Sequence, residues 1–576
     1  MLKSFEVVTK FFLPAIIFLA VFLRLFLLNE APPHLNWDEV SHGYNAYSIL
    51  TTGKDEWGQT FPLTSFRAFG DYKLPLYIYV TVPFVALFGL NEWSVRLPSA
   101  LAGVGAVIFT FFLIRKLFKN ETLALLSSFL LAISPWNIML SRAAFEANLA
   151  LFLVILGVFL FVKGYENQKF FPLSFLSFGL SLYAYNSAKI FVPLFLVVLF
   201  IFYRKELTQR IKFVLPSFLI LVFLFIPHLV LLMSEEGQAR FYWTTILDQG
   251  AINRINEARV SSPLPEPLTR LIYNRPLYFA TQASKNWFTY YLGDFLFVEG
   301  GSHFQYSIPG RGVAFPLEIP FVIVGISTIL LLRSKSLVLV LIWFLIGPIA
   351  ASITRDSPHV LRSIFVLPSL QVLGALGIAK VGEWVGKLNK IFIFEQKPPP
   401  FKAEMERILR EKKKPWPLGR GEFILGTVLI FLVFSSLFIF DYFSSYRKNY
   451  SWSWQYGYKE AISFALQNYN SYDAIIFTKK YGEPHEFLLF FTSWPPDKYR
   501  NDPNLDRYTR SNWYWVDRFD KFYFVNDWEI KEKVPKLVGG SKSLLITSPA
   551  NAPEHAVQKA TIRFLDGSSA FEIYEI

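Results

Sequence analysis

FFLPAIIFLAVFLRLFLL, residues 11–28, is an apolar stretch that only Pro14 and Arg24 interrupt. Its length approaches the roughly 20 apolar residues that a helix needs to cross a lipid bilayer. EFILGTVLIFLVFSSLFIF, residues 422–440, is a second stretch of the same kind. Because the 576-residue chain is 53% hydrophobic and has a mean hydropathy of +0.34, it is predicted to be an α-helical polytopic membrane protein. The first stretch has no small-residue cleavage site after it, which favours a retained signal-anchor helix.

About eleven transmembrane helices are predicted, and the placement of basic residues favours this number. Lys and Arg cluster in the connections that would share a side with the N-terminal Lys3 and Lys10, as cytoplasmic loops do. An odd number of spans then puts the N-terminus in the cytoplasm and the C-terminal region outside the plasma (inner) membrane. The predicted spans are 11–28, 97–117, 121–139, 143–163, 170–186, 188–203, 212–233, 315–332, 336–352, 358–380 and 421–441.

One apolar segment, LPLYIYVTVPFVALFGL at residues 74–90, is not counted as a span. It is short and aromatic, and Pro83 breaks it. Counting it would move every later basic cluster to the outer side. It is therefore predicted to form an interfacial helix within the first outer loop, 29–96. A second outer loop covers 234–314, and a basic cytoplasmic loop covers 381–420.

The transmembrane domain is predicted to occupy residues 1–444, followed by a small extracytoplasmic α/β domain at 445–576. Two helical patterns, YKEAISFALQNYN and GEPHEFLLFFTSW, flank a strand-like run, YDAIIFT. Four further strand-like runs follow, bounded by Gly, Pro and Asn: KFYFVN, SLLITSP, QKATIRFL and AFEIYEI. This domain could handle an acceptor, cover a cleft or serve stability alone.

Composition excludes several classes of function. The net charge of +13 does not indicate nucleic acid binding, because the basic residues lie in short segments between apolar runs. The absence of cysteine excludes disulfides, thiolate nucleophiles and Cys-ligated zinc. No Gly-rich phosphate loop of the GxGxxG or GxxxxGK type occurs, so a nucleotide sugar or ATP is not expected as the direct substrate.

The stretch LNWDEVSHGY, residues 35–44, places two adjacent carboxylates directly after the first apolar run. Asp38 can serve as the N-cap of a helix that ends at Gly53, with Glu39 in its first turn. Acidic groups at the border of a helix bundle also tend to mark functional sites. Both residues are therefore predicted to be catalytic, with the carboxylate of Asp38 able to act as a base.

Cations follow at the same predicted depth. Lys73, Arg96, Arg355, His359 and Arg362 are candidates to bind a phosphate, because several cations at a helix N-terminus form an anion site. A helix beginning near Pro358 would place His359 and Arg362 on one face. An arginine at a helix end can also be a simple interfacial anchor. Weaker candidates for substrate binding are Asp71, Tyr77, Arg142 and Glu146.

A divalent metal ion is a possible cofactor, although no HxxxH or HExxH spacing occurs. If a metal is present, the candidate ligands are Glu39, His42 and Asp71. No other cofactor is expected.

The order of motifs resembles that of the bacterial relatives of the dolichyl-phosphate-mannose–protein mannosyltransferases, a group with the GT-C fold that includes the lipid A aminoarabinose transferases. WDE, KLPLY, EWSVRLPSALAG and SRAAFEANLALF carry the resemblance, which extends over roughly residues 10–370. Asp38 and Glu39 match the family's Asp-Glu pair, and Arg96 falls on its Arg-Leu-Pro motif. Lys73 and Pro75 match its Lys-Pro-Pro-Leu-Tyr motif, but Leu74 replaces the first proline. Asp71 lies two residues before Lys73, whereas the family's usual Glu directly precedes the lysine, and this departure concerns a metal site seen in some relatives.

The resemblance implies an inverting glycosyltransferase that moves a sugar from a polyprenyl-phosphate donor to a hydroxyl of a protein, lipid or glycan on the outer face. The partners would then be the lipid donor, membrane lipid and the acceptor, without nucleic acid. A transporter or flippase of lipid-linked sugars would instead show inverted repeats and polar, broken spans. A non-catalytic glycan-assembly subunit is the other alternative.

Overall fold

The computed structural model describes residues 2–234, 237, 244–394, 419–510 and 513–576. The chain is mostly helical, and the helices form a bundle with one continuous apolar core. The long or apolar helices are Leu2–Leu25, Glu92–Phe118, Glu121–Ile133, Pro135–Ser141, Glu146–Gly164, Phe170–Ala184, Ala188–Phe202, Ile211–Met233, Glu318–Leu332, Lys335–Ile346, Ile349–Ser352, Ser369–Phe394 and Arg420–Asp441.

Among the described residues, six helices are long and apolar enough to cross a membrane. A seventh is obtained if Glu121–Ile133 and Pro135–Ser141, which meet at 55°, count as one broken span. Four shorter apolar helices also occur, at Pro75–Phe88, Phe170–Ala184, Ala188–Phe202 and Glu318–Leu332. A polytopic helical membrane fold is thereby confirmed, whereas the number eleven stays a prediction.

Two of the membrane helices expose apolar side chains along much of their length, as expected for contact with lipid. In the apolar windows of Ile211–Leu231 and Arg420–Asn449, only 22% of residues are buried in each. By contrast, 83% of the window of Ile364–Leu388 is buried, so this helix lies in the centre of the bundle.

Helices Glu318–Leu332 and Ser369–Phe394 pack closely through two glycines. A Cβ on Gly325 would meet the backbone carbonyl of Leu373, and a Cβ on Gly377 would meet that of Phe321. Because both neighbours are backbone atoms, they cannot move aside as a side chain could.

Replacing Gly377 with Ala should therefore destabilise the bundle by about 1–3 kcal/mol through overpacking. Thermal melting of the detergent-solubilised protein measures this effect. Gly426→Ala is the matched control, because a Cβ at that helical position would meet nothing within 4 Å. Equal melting temperatures for the two variants would contradict the close packing.

The basic connections that were predicted to be cytoplasmic lie together on one face of the bundle. Lys116 forms an ion pair with Glu166, and Arg210 donates to the carbonyl of Tyr165 at 3.1 Å. Lys335 forms an ion pair with Glu206 at 2.9 Å. Of the predicted basic loop 381–420, residues 381–394 continue the preceding helix, and residues 395–418 lie outside the described part of the chain.

The opposite face carries the two predicted outer loops. The first contains helices Trp37–Thr52 and Pro75–Phe88 and an antiparallel hairpin of β1 (Phe66–Ala68) and β2 (Asp71–Lys73). The short, Pro-interrupted segment 74–90 is thus helical and packs on its neighbours, with Tyr77 and Ile78 buried. The second loop contains helices Gln249–Val260, Glu266–Ile272 and Arg275–Thr289.

The C-terminal region forms a seven-stranded mixed sheet. Its strands are β3 (Ala474–Thr478), β4 (Asp506–Arg510), β5 (Trp513–Phe519), β6 (Phe522–Val525), β7 (Ser543–Thr547), β8 (Val557–Arg563) and β9 (Ser569–Glu575). Their order is β4-β5-β6-β3-β7-β9-β8, and β3 is parallel to both of its neighbours. Helices Tyr458–Gln467, Pro484–Phe491, Pro496–Arg500 and Ile530–Val538 accompany the sheet. The α/β prediction is confirmed, but β4, β5 and the last two of these helices were not predicted.

Two predicted helix starts are wrong. The helix Trp37–Thr52 is capped by Asn36 and not by Asp38, because the Asn36 side chain accepts from the backbone of Glu39 at 2.9 Å. It ends at Gly53, which has a left-handed φ of 67°, as predicted. The second error concerns Pro358. The long helix there begins at Ser369, after a 3₁₀ turn at Ile364–Val366.

Candidate active site

Asp38 lies in the first turn of helix Trp37–Thr52, where its carboxylate is 29% exposed. Its Oδ1 accepts a hydrogen bond from Nζ of Lys73 at 2.5 Å. Lys73 closes the β1–β2 hairpin, and its Nζ is also 3.7 Å from Oδ2 of Asp71. Burial disfavours the ammonium, but Asp38, Asp71 and Glu146 together raise the pKa of Lys73. The site thus contains one cation held among three carboxylates.

Glu39, the neighbour of Asp38, faces the opposite way, into the protein. Its side chain is fully buried. Nε and Nη2 of Arg96 donate to its two oxygens at 2.9 and 3.2 Å. The backbone N–H groups of Asn36 and Ala144 also donate to the Glu39 carboxylate, at 3.0 and 2.9 Å. Glu39 therefore joins three segments of chain and positions Asp38, whereas a direct catalytic role for Glu39 stays a prediction.

The guanidinium of Arg96 makes all of its hydrogen bonds within the protein. Nη1 donates to the carbonyls of Leu28 and Pro32, both at 2.9 Å, and Nη2 donates to that of His34 at 2.5 Å. With the two bonds to Glu39, all five N–H donors of the guanidinium are used. No N–H of Arg96 is left for a donor phosphate in this arrangement, and its phosphate-binding role stays a prediction.

Arg142, like Arg96, donates hydrogen bonds to backbone carbonyls at or after the end of the first apolar helix. Its guanidinium is buried and donates to the carbonyls of Leu23, Phe26, Leu27 and Ala31 at 2.7–3.1 Å. Those carbonyls belong to the last turn of the first apolar helix and the residues after it, where backbone acceptors lose their helical partners. Arg142 thus fastens the end of this helix, and its role in substrate binding stays a prediction.

Tyr77 is fully buried, and its hydroxyl donates to the carbonyl of Val95 at 2.8 Å. It also contacts the ring of His42. The side chain ties the helix Pro75–Phe88 to the helix that carries Arg96, and its role in substrate binding stays a prediction.

The predicted basic residues near 355–362 lie on an irregular segment. Arg362 donates to Oγ1 of Thr354 at 3.0 Å and pairs with Asp356 at 3.4 Å. It lines a cavity of about 170 Å³ together with Tyr185 and Asn186. Arg355 lines a separate cavity of about 640 Å³ beside His303. His359 is buried, and its Nδ1 accepts from the backbone N–H of Arg362 at 3.3 Å.

Tyr306 connects the acidic and basic groups, and sequence reasoning missed it. Its ring is 5.3 Å from that of His359 and 5.0 Å from that of His303. Burial, then the charges of Asp38 and Glu146, raise the pKa of its hydroxyl, while the charge of Arg362 opposes them. The carboxylates and the guanidinium therefore act on one phenol. Its stretch, HFQYS, is not distinguishable in sequence from interfacial aromatic residues.

The C-terminal domain closes over this site. The carboxamide oxygen of Gln455 accepts from the backbone N–H of Trp37 at 2.8 Å. The hydroxyl of Tyr44 donates to the carbonyl of Trp494 at 3.1 Å. Gly482 lies so close to Trp37 that a Cβ there would overlap the indole. The acidic pair is thus held between the bundle and the sheet domain.

The predicted metal ligands do not come together. Glu39 is engaged by Arg96, and within the described part of the chain Glu39, His42 and Asp71 do not form a group whose ligand atoms lie within 4.8 Å of one another. Among the described residues, a different set, Glu56, His485 and Glu486, has its ligand atoms within 4.8 Å of one another.

Comparison with known proteins matches residues 73–231 to the family described as "Dolichyl-phosphate-mannose-protein mannosyltransferase". Two proteins of Bacillus subtilis (strain 168) named as candidate mannosyltransferases are similar in part. YycA is 26% identical over 174 residues, 30% of this chain, and YkcB is 31% identical over 126 residues, 21% of this chain. The aligned stretches span 25% and 18% of these two relatives' own length.

Solved structures extend the similarity to the whole chain. ArnT from Cupriavidus metallidurans in the apo state superimposes with a TM-score of 0.52 at 13% identity, over 100% of this chain and 98% of that chain. The same protein bound to undecaprenyl phosphate gives a TM-score of 0.53 at 11% identity, over 98% of each chain. At such low identity the similarity shows the fold.

The helical bundle, its outer loops and the capping sheet domain define a membrane protein of the GT-C fold. The family match over residues 73–231 includes three of the four motifs that carry the resemblance. The chain is therefore similar, over that part, to the dolichyl-phosphate-mannose–protein mannosyltransferases, and it shares its fold with ArnT.

Proposed function

We propose that this protein is an inverting glycosyltransferase that moves a sugar from a polyprenyl-phosphate donor to an acceptor hydroxyl. The observation that carries the proposal is the partly exposed carboxylate of Asp38, held 2.5 Å from Nζ of Lys73. The named relatives and the lipid phosphate in the ArnT structure support this class of donor.

On the donor side, the leaving group is a lipid phosphate, which needs cations to stabilise its growing charge. Arg362 and Arg355 are the guanidinium groups that line cavities on this face. His359 and Tyr306 lie beside Arg362 and orient this side of the site. We do not assign Arg96 to this side, because its donors are used within the protein.

On the acceptor side, Asp38 removes the proton of the attacking hydroxyl. A donor phosphate arriving at the site competes with Asp38 for the ammonium of Lys73, which releases the carboxylate to act as a base. Attack on the anomeric carbon in a single displacement inverts its configuration. Asp71 and Glu146 keep Lys73 charged during this exchange.

The proposed orientation puts the site on the outer face of the plasma membrane, with the N-terminus in the cytoplasm. The basic connections gathered on the opposite face support this orientation, because cytoplasmic loops are enriched in Lys and Arg. The sheet domain over Trp37 would then meet the acceptor from outside.

The test is incubation of the purified protein with a panel of polyprenyl-phosphate hexoses and pentoses, followed by mass spectrometry of the products. The panel begins with mannose, because the family description and the relatives' names include it. We expect one donor to lose its sugar with inversion at the anomeric carbon. A nucleotide sugar used in preference to every lipid donor would refute the proposal.

Replacing Arg362 with Ala should weaken donor binding by about 1.5–3 kcal/mol, the usual worth of a hydrogen bond to a charged group. We expect the KM for the donor to rise by at least tenfold. The KM of Arg362→Lys should lie between those of wild type and Arg362→Ala, because lysine keeps the charge but not the two-pronged hydrogen-bond geometry of the guanidinium. The comparison is Arg311→Ala, which removes a half-exposed guanidinium paired with Asp441 on the same side. An unchanged KM in Arg362→Ala would remove Arg362 from the donor site.

A further inference from the structure

A second group of polar residues lies between the first outer loop and the sheet domain. Glu56 follows the helix Trp37–Thr52 in the loop, while His485 and Glu486 begin the helix Pro484–Phe491. All three side chains are at most 1% exposed. One ligand atom from each of them lies within 4.8 Å of the others. The arrangement brings two carboxylates and an imidazole into a closed interior.

Several atoms of this cluster are buried without a partner. Within the described part of the chain, Oε2 of Glu56, Oε2 of Glu486 and Nε2 of His485 have no hydrogen-bond partner. Nε2 of His485 is 3.8 Å from Oε1 of Glu486, so the imidazole is directed at the carboxylates. Orphaned buried polar atoms are costly, and three that converge on one point indicate a ligand.

The surroundings hold the three side chains in place. The hydroxyl of Tyr514 is 2.9 Å from Glu486 and 3.3 Å from Glu56. Glu483 lies 3.6 Å from Nδ1 of His485, the side of the ring that a second carboxylate occupies in many metal sites. Arg507, 4.0 Å from Glu56, offsets only one of the negative charges. Two buried carboxyl groups this close must share a proton unless a cation takes its place.

We propose that Glu56, His485 and Glu486 bind a divalent transition-metal ion that fastens the sheet domain to the first outer loop. Imidazole nitrogen combined with carboxylate oxygen suits Zn²⁺ or Mn²⁺, whereas Ca²⁺ and Mg²⁺ prefer oxygen ligands alone. This site is separate from Asp38 and Lys73, and the proposal does not depend on the transferase reaction.

The position of the ion suggests what it stabilises. Next to Glu56, the indole of Trp57 lies between Arg67 and Arg507, whose guanidinium carbons are 4.2 and 3.4 Å from its ring. The backbone N–H of Tyr514 donates to the carbonyl of Phe69 at 3.1 Å. Phe69 is in the turn of the β1–β2 hairpin that ends at Lys73. The ion thus anchors the domain that supports the hairpin of Lys73.

The experiment measures the metal content of the full-length protein in detergent by elemental mass spectrometry. After EDTA treatment and dialysis against Zn²⁺, Mn²⁺ or Ca²⁺, we expect about one Zn²⁺ or Mn²⁺ per chain and no retained Ca²⁺. Zn²⁺ should also raise the melting temperature of the EDTA-treated protein. A wild-type protein that retains no Zn²⁺ or Mn²⁺ would refute the proposal. The two carboxyl groups would then share a proton in place of the metal.

His485→Gln and Glu486→Gln should reduce the bound metal at least about tenfold and abolish the rise in melting temperature. The matched controls are Glu554→Gln and His555→Gln, an adjacent and exposed Glu–His pair of the same domain, which should keep the metal. Equal loss in both pairs would indicate surface binding and refute the site. If a cluster variant does not fold, the metal content and melting shift of the wild-type protein decide the question.

Discussion

Asp38→Asn lowers sugar transfer by a factor of about 10²–10⁴, the usual contribution of a general base. The substitution keeps the shape of the side chain and an oxygen that can accept from Lys73, but its amide cannot take a proton. Asp38 is 29% exposed and lies outside the buried ion-pair network. The fold should therefore be retained, and kcat should fall while the KM for the donor changes little.

Asp71→Asn is the control for this prediction. It removes a second carboxylate near Lys73, at 3.7 Å, without touching the proposed base. We expect a much smaller loss of activity, because Asp38 and Glu146 still support the ammonium. If transfer persists in Asp38→Asn and is lost in Asp71→Asn, the assignment of Asp38 as the base is wrong. Loss in both, with normal melting, would mean that the charge of Lys73 controls the reaction.

The sequence predicted a catalytic role for Asp38 and phosphate binding for Lys73, and the structure places their two side chains in contact. The motif that contains Asp38 directly follows the first membrane helix, so its position at the bundle border could be inferred from hydropathy alone. Lys73 could be inferred as a nearby cation, but the hairpin that turns it toward Asp38 could not. Three-residue strands such as Phe66–Ala68 are too short to give a periodic pattern.

The roles of the arginines could not be predicted in the same way. An Arg at a helix end has the same sequence context whether it binds phosphate, anchors at the interface or caps backbone carbonyls. For Arg96 and Arg142 the outcome depends on the path of residues 23–34, whose carbonyl groups turn inward. That path is a tertiary feature without a sequence period.

Strands β4 and β5 were missed for a related reason. DRYTR and WYWVDRF mix charges with aromatic residues, and β4 is mostly exposed at the edge of the sheet. An exposed edge strand has little hydrophobic alternation to detect. Both strands border the residues that approach the first outer loop, so the contact between the two domains was missed with them.

Glu39→Gln should destabilise the protein by about 3–5 kcal/mol, the cost of leaving one member of a buried ion pair without its partner. Both side chains, Glu39 and Arg96, are fully buried. Each carboxylate oxygen accepts one bond from Arg96 and one from a backbone N–H, of Ala144 or Asn36. A glutamine amide must turn its NH₂ group toward two donors in either orientation, which adds repulsion to the lost charge.

Melting in detergent and the yield of folded protein measure this effect. Glu92→Gln, on the same helix as Arg96, is the control. It removes a carboxylate whose partner Lys459 is more than half exposed, so about 0–1 kcal/mol is expected. Glu39→Gln combined with Arg96→Met should not recover stability, because Arg96 also satisfies the carbonyls of Leu28, Pro32 and His34. A Glu39→Gln protein that melts like wild type but transfers no sugar would instead give Glu39 a direct role in the reaction.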